Sequence, residues 1–144
     1  MNRFEVFSLV KTVFEDDVDK GGKPYINHLL MVADRFMGID DVLSQAALLH
    51  DIIEDKSPEY SVEKLLEIGI ESRVVDLVDI LTRKPDETYV DYVHRVSLDS
   101  DAVKIKLSDL EHNMDVRRFN ELGEKEFSLL KRYHKAYNFL KNIE

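Results

Sequence analysis

Apolar residues recur at three- and four-residue spacing along most of the chain, and this periodicity is that of helices. Phe4, Phe7, Val10, Val13 and Phe14 trace one face of a first helix from about residue 2 to 17. The stretch Asp19-Lys20-Gly21-Gly22-Lys23-Pro24 breaks it, since two glycines and a proline mark a turn. A second helix is expected from 25 to about 36, ending near Gly38. Asp40 or Asp41 can cap a third, which runs through Ala46-Ala47-Leu48-Leu49 to about Glu54. Pro58 and Ser61 mark the next loop, and Val62, Leu65 and Leu66 form a short helix that stops at Gly69. Val74, Val75, Leu77, Val78 and Leu81 place a helix over 72–81, and Thr88 opens another carrying Tyr89, Tyr92, Val93 and Val96. From 102 to about 113 the apolar positions are Val103, Ile105, Leu107 and Leu110, whose early part alternates as a strand would. Gly123 precedes a last helix with Phe127, Leu130, Tyr133, Tyr137 and Leu140. The expectation is an all-α chain, one domain over 1–144 with about eight helices and no internal repeat.

Composition narrows what this bundle can do. At 144 residues with 44% hydrophobic positions, the chain supports one sizeable core. Its 20 basic and 29 acidic side chains give a net charge of −9. That balance argues against a nucleic-acid backbone or an anionic membrane as principal partner, because both need a dense basic surface. The absence of cysteine excludes disulfides, thiolate metal sites and a cysteine nucleophile. No secretory signal or membrane span is visible, so a soluble cytoplasmic protein is expected. Nothing in the pattern specifies an oligomeric state.

The informative stretch is Leu48-Leu49-His50-Asp51-Ile52-Ile53-Glu54-Asp55, four ionisable groups in six positions of an apolar helix. Burying unpaired charge is costly, so a purely structural helix avoids this arrangement. In a helix His50 and Glu54 share one face, as do Asp51 and Asp55. A histidine and a carboxylate meeting at a cation accounts for the pattern; local pairing in a half-exposed cluster is the alternative. His28 opens an otherwise apolar helix, and Asp109 lies inside the apolar run Lys106-Leu107-Ser108-Asp109-Leu110, with Asn113 four residues on. His28, His50, Asp51 and Asp109 together form a two-histidine, two-carboxylate set suited to Mn²⁺, Fe²⁺ or Zn²⁺.

These residues reproduce the H…HD…D signature of the HD-domain metal-dependent phosphohydrolases. Gly22-Lys23-Pro24-Tyr25-Ile26-Asn27-His28, Ala46-Ala47-Leu48-Leu49-His50-Asp51-Ile52-Ile53-Glu54-Asp55 and Lys106-Leu107-Ser108-Asp109-Leu110-Glu111-His112-Asn113-Met114 resemble the hydrolase half of the RelA/SpoT homologues, which include small stand-alone members. The resemblance spans about 20 to 118. It implies a helical HD fold, a bound divalent metal (Mn²⁺ first) and removal of pyrophosphate from the 3′ position of (p)ppGpp, a small phosphorylated nucleotide. It makes His28, His50, Asp51 and Asp109 the metal ligands and Glu54 and Asp55 the pair that orients or deprotonates water. Asn113 would help hold the substrate, with Lys23, Tyr25 and Lys106 as further candidates for substrate contact. The synthetase half of the long homologues has no counterpart in this length.

Two departures concern the nucleotide rather than the metal. Where the family carries a basic stretch against the base, this chain has Glu15-Asp16-Asp17-Val18-Asp19. Where the family often has an arginine after Asn113-Met114, it has Asp115, with Arg117 and Arg118 beyond. An HD-type nucleotidase or pyrophosphohydrolase for another nucleotide is therefore the alternative, followed by a non-catalytic nucleotide sensor. Retention of Glu54 and Asp55 counts against the sensor. His94, His112 and His134 show no partner spacing, and His112 lies about 100° around the helix from Asn113. Arg83-Lys84 reads as a helix end and Lys131-Arg132 as a solvated face.

Overall fold

The computed structural model describes residues 1–143, and among them the chain is all-α. Its helices are α1 (Arg3–Val13), α2 (Ile26–Asp34), α3 (Asp41–Leu49), α4 (Ile52–Asp55), α5 (Val62–Glu67), α6 (Ser72–Ile80), α7 (Tyr89–Val96), α8 (Ser100–Asn113) and α9 (Glu124–Ile143). A 3-10 turn, Val116–Arg118, links the last two. The starts follow the local chemistry. Asn2 and Glu5 form a reciprocal capping box on α1, and Asp40, Ser61, Thr88 and Asp99 each accept a first-turn N–H with their side chains.

The helices α2, α3 and α8 pack on one another at the centre. On the outside, α1 and α6 cover α3, α5 lies on α6, and α7 and α9 lie on α8. Leu29, Leu48, Leu49, Leu77, Ile105 and Leu110 are among the fully buried side chains of this core. In α8 even Lys106, Ser108 and Asp109 are buried with the apolar residues. A helix enclosed on most sides has little amphipathic period to display, which is why 102–113 reads ambiguously in the sequence.

Two boundaries differ from the periodicity. The first helix stops at Val13 rather than near 17, because Phe14 turns into the core and the next residues fold into a compact turn. In that turn Val18 and Pro24 form an isolated bridge, and the Tyr25 amide donates to the Asp17 carbonyl. The expected third helix is two helices, α3 and α4, separated at His50 and Asp51.

The 19–23 turn is seated against the chain far downstream. Gly22 has φ +82°, and a Cβ at Gly21 would lie 2.4 Å from the Arg118 carbonyl oxygen. Backbone cannot yield as a flexible side chain would, so Gly21→Ala is expected to destabilise the protein by about 1–3 kcal/mol in chemical denaturation.

Candidate active site

The break between α3 and α4 is where the site begins. Leu48 and Leu49 anchor α3 in the core, and the backbone leaves regular helix at Asp51, with φ −100° and ψ −2°. The His50 ring turns back to place Nδ1 2.6 Å from the Ala47 carbonyl oxygen. A carbonyl only accepts, so Nδ1 carries a proton and Nε2 points into the centre. Nε2 is buried there without an aligned hydrogen-bond partner. His28, 2% exposed on α2, brings its Nε2 to 3.0 Å from Asp109 Oδ1 and 3.8 Å from Asp51 Oδ2. His50 Nε2 lies 3.1 Å from Asp51 Oδ2 and 3.4 Å from Asp109 Oδ1. Three packed segments therefore converge two imidazoles and two carboxylates on one point.

The donor set fits a divalent cation. One ligand atom each from His28, His50 and Asp51 lies within 4.8 Å of the others, and Asp109 closes the group from α8. Nitrogen and oxygen donors without sulfur suit Mn²⁺, Fe²⁺ or Zn²⁺, and an orphaned buried Nε2 is an atom such an ion would satisfy. The carboxylates are themselves held in place. Tyr25 donates its hydroxyl to Asp51 Oδ2. Lys106 Nζ is 2.8 Å from Asp109 Oδ2, and Asn113 Nδ2 donates to Asp109 Oδ1 at 3.1 Å.

A cavity of about 390 Å³ opens beside the cluster. Glu54 and Asp55 line it, as do Tyr25, Lys106 and Asn113. Its cationic wall comprises Lys20, Arg83, Arg118 and Arg132. Arg132 lies 3.8 Å from the Tyr89 ring centre and Arg83 5.9 Å, and the Tyr89 hydroxyl is buried without a partner on that wall.

A model of the HD domain matches residues 25–135. The chain belongs to the HD domain family. A search of curated proteins finds no match. Among solved structures, one described as "A metazoan ortholog of SpoT hydrolyzes ppGpp and plays a role in starvation responses" superimposes with a TM-score of 0.76. The two chains share 20% identity, over 96% of this chain and 84% of that one, and the likeness is one of fold. With the family and the donor cluster in hand, this HD domain is a metal-dependent phosphohydrolase in class.

The electrostatics of this HD domain separate its carboxylates into two groups. Burial alone would raise Asp109, but Lys106 and His50 outweigh it and hold the carboxyl well below its ordinary value. Asp51 is likewise lowered, since His50 overcomes its burial. Burial works against a charged His50, yet Asp51 and Asp109 hold its proton well above the ordinary histidine range. In contrast Glu54 is raised by burial and Asp51, while the Arg83 amide donates to its Oε1 at 3.1 Å. Asp55 is pushed up to about 7, by partial desolvation in the cavity first and then by Asp51 and Glu54. Both side chains remain open to solvent along the cavity.

Of the residues singled out in the sequence of this HD domain, Lys23 is not brought into the cavity wall. It is exposed, and its amide donates to Asp19 Oδ1 at 2.9 Å. Lys106 is committed to Asp109 and stacks 5.2 Å from the Tyr92 ring centre. The acidic segment also changes meaning: Asp17 pairs with Lys56 at 2.6 Å and Asp19 with Arg118 at 3.3 Å. Arg118 also donates to the His112 carbonyl and Asn113 Oδ1, tying the 19–23 turn to the end of α8. Arg83, Arg132 and Arg118 were not distinguishable from surface cations by spacing. Spacing does not single out His112 either, yet its Nδ1 lies 2.7 Å from His28 Nδ1.

Proposed function

We propose that this HD domain is a cytoplasmic (p)ppGpp 3′-pyrophosphohydrolase that works with Mn²⁺. The supporting observation is the placement of Asp55, with a pKa raised to about 7, on a cavity that joins the His-His-Asp cluster to a cationic wall. His28, His50, Asp51 and Asp109 would hold the ion. When bound, a divalent ion lowers the pKa of water and offsets charge on phosphoryl oxygens.

The rest is assigned to the chain's own groups. Asp55 takes the proton from water as it adds to the 3′-attached phosphorus, and a base titrating near neutrality suits that task. The bond from this phosphorus to the 3′ oxygen breaks, and the leaving oxygen takes up the proton that Asp55 has accepted, giving pyrophosphate and a free 3′-hydroxyl. Glu54 orients the water, itself held by the Arg83 amide. Tyr25, raised far above its ordinary value by burial and Asp51, stays protonated and fixes Asp51. Asn113 positions the substrate beside Asp109. Arg83, Arg132 and Lys20 offer charge to the remaining phosphates. The pairing of Asp17 and Asp19 neutralises two of the four acidic side chains in the segment, which eases its conflict with an anionic ligand.

Metal-stripped protein reloaded with Mn²⁺ and given ppGpp is expected to release pyrophosphate and the corresponding 3′-hydroxyl nucleotide. A nucleotide panel is run alongside. Turnover of another nucleotide but not ppGpp would move the assignment to a different HD-type nucleotidase. Binding across the panel with no turnover would make the protein a sensor.

A further inference from the structure

We propose that His112 is a positioning residue that fixes the tautomer of His28, presenting the His28 Nε2 lone pair to the metal cluster. The inference rests on the metal-site reading above but not on the identity of the substrate. Metal-binding imidazoles work only when the coordinating nitrogen is unprotonated, and the hydrogen bond at the other nitrogen decides this. The two histidines of this site solve the problem differently. His50 directs Nδ1 to the Ala47 carbonyl, a partner that can only accept. His28 has no such carbonyl at Nδ1; its partner is the Nδ1 of a second imidazole, at 2.7 Å.

The rings of His28 and His112 are nearly parallel, 16° apart, with centres separated by 5.0 Å. That arrangement allows a nitrogen-to-nitrogen bond with one proton between the two Nδ1 atoms. With the proton on His28 Nδ1, His112 accepts through its lone pair and carries its own proton on Nε2. Both rings are then neutral, and His28 Nε2 is free to bind a cation. With the proton on His112 instead, His28 is protonated at Nε2 and donates to Asp109 Oδ1, 3.0 Å away, so the cluster is blocked. The pair thus has two states that differ only in proton placement, and only one binds a metal.

The position in the sequence agrees. His112 stands three residues after Asp109 and one before Asn113, so one turn of α8 supplies a carboxylate to the cluster, the acceptor behind His28 and the amide on the cavity wall. His112 is half-buried, and Arg118 holds its carbonyl at 3.0 Å.

Isothermal titration of Mn²⁺ into metal-stripped full-length protein tests the assignment. His112→Phe keeps a flat ring but removes the acceptor, and is expected to weaken binding by about 10- to 100-fold. His112→Asn carries an amide oxygen near the place of Nδ1 and is expected to recover most of that loss. Nitrogen-15 spectra of Zn²⁺-loaded wild type provide a reading that needs no variant: His28 should be protonated at Nδ1 and His112 at Nε2. Wild-type affinity in the Phe variant, no recovery in the Asn variant, or an Nε2 proton on loaded His28 would each overturn the proposal. If wild type binds metal but hydrolyses no nucleotide, the substrate reading fails while this one stands. If wild type binds no divalent metal, both fall.

Discussion

Asp55→Asn is expected to lower kcat by about 10²- to 10⁴-fold, the range that a positioned general base contributes, while Mn²⁺ affinity stays near that of wild type. The same substitution should change how stability depends on pH. The Asp55 carboxyl is raised from an ordinary 3.8 to about 7, so the folded protein holds this proton more tightly than the unfolded chain. Between those two values the folded state binds more protons, and stability must fall as pH rises. His50 acts in the same direction from about 6.5 upward, because its folded pKa is also raised. The lowered carboxylates Asp109 and Asp51 act elsewhere; their contribution is lost only in acid, below about pH 4. Metal-free wild type should therefore show a declining melting temperature from about pH 4 to 7, and the Asn variant a flatter one. An unchanged slope together with an unchanged kcat would remove Asp55 from the reaction.

The second large effect is expected at His50. His50→Ala should abolish metal binding and hydrolysis together, a greater loss than the roughly 10- to 100-fold that follows removal of an outer hydrogen-bond partner. It should also destabilise the metal-free protein, by on the order of 3 kcal/mol, since a buried ring between Asp51 and Asp109 is the positive group those carboxylates share. Metal affinity in wild type should rise with pH, because the proton held on His50 must leave before Nε2 can coordinate. Titration calorimetry at pH 6 and pH 8 measures the affinities, scanning calorimetry the stability, and pyrophosphate release the hydrolysis. Retention of activity by metal-free His50→Ala would exclude the proposed chemistry.

Sequence periodicity was a good guide to the helices because most of them bury one face and cap themselves locally, as Asn2, Ser61 and Thr88 do. It was a poor guide to the α3–α4 junction. Residues 46–49 are all buried and the apolar run continues to Ile53, so no change of period signals that the backbone leaves the helix at Asp51. The consequence for the site is substantial, since i,i+4 partnership of His50 with Glu54 assumes one continuous helix. The four cluster residues were legible because ionisable groups are conspicuous in apolar runs. The histidine behind them is not legible, because its partner is His28 on α2 and no spacing along α8 marks that contact. Arg83 and Arg132 each reach the Tyr89 ring only through tertiary packing. No local pattern encodes that contact.

The two sides of the cavity also differ in how deeply they are rooted. Asp109 belongs to α8, in which eight residues are buried, whereas Arg132 belongs to α9, a 20-residue helix that buries only Ala136 and Leu140. Beyond these two, α9 holds to the core through the partly buried Tyr133, Tyr137 and Phe139. The donor cluster and the cationic wall thus rest on supports of different depth.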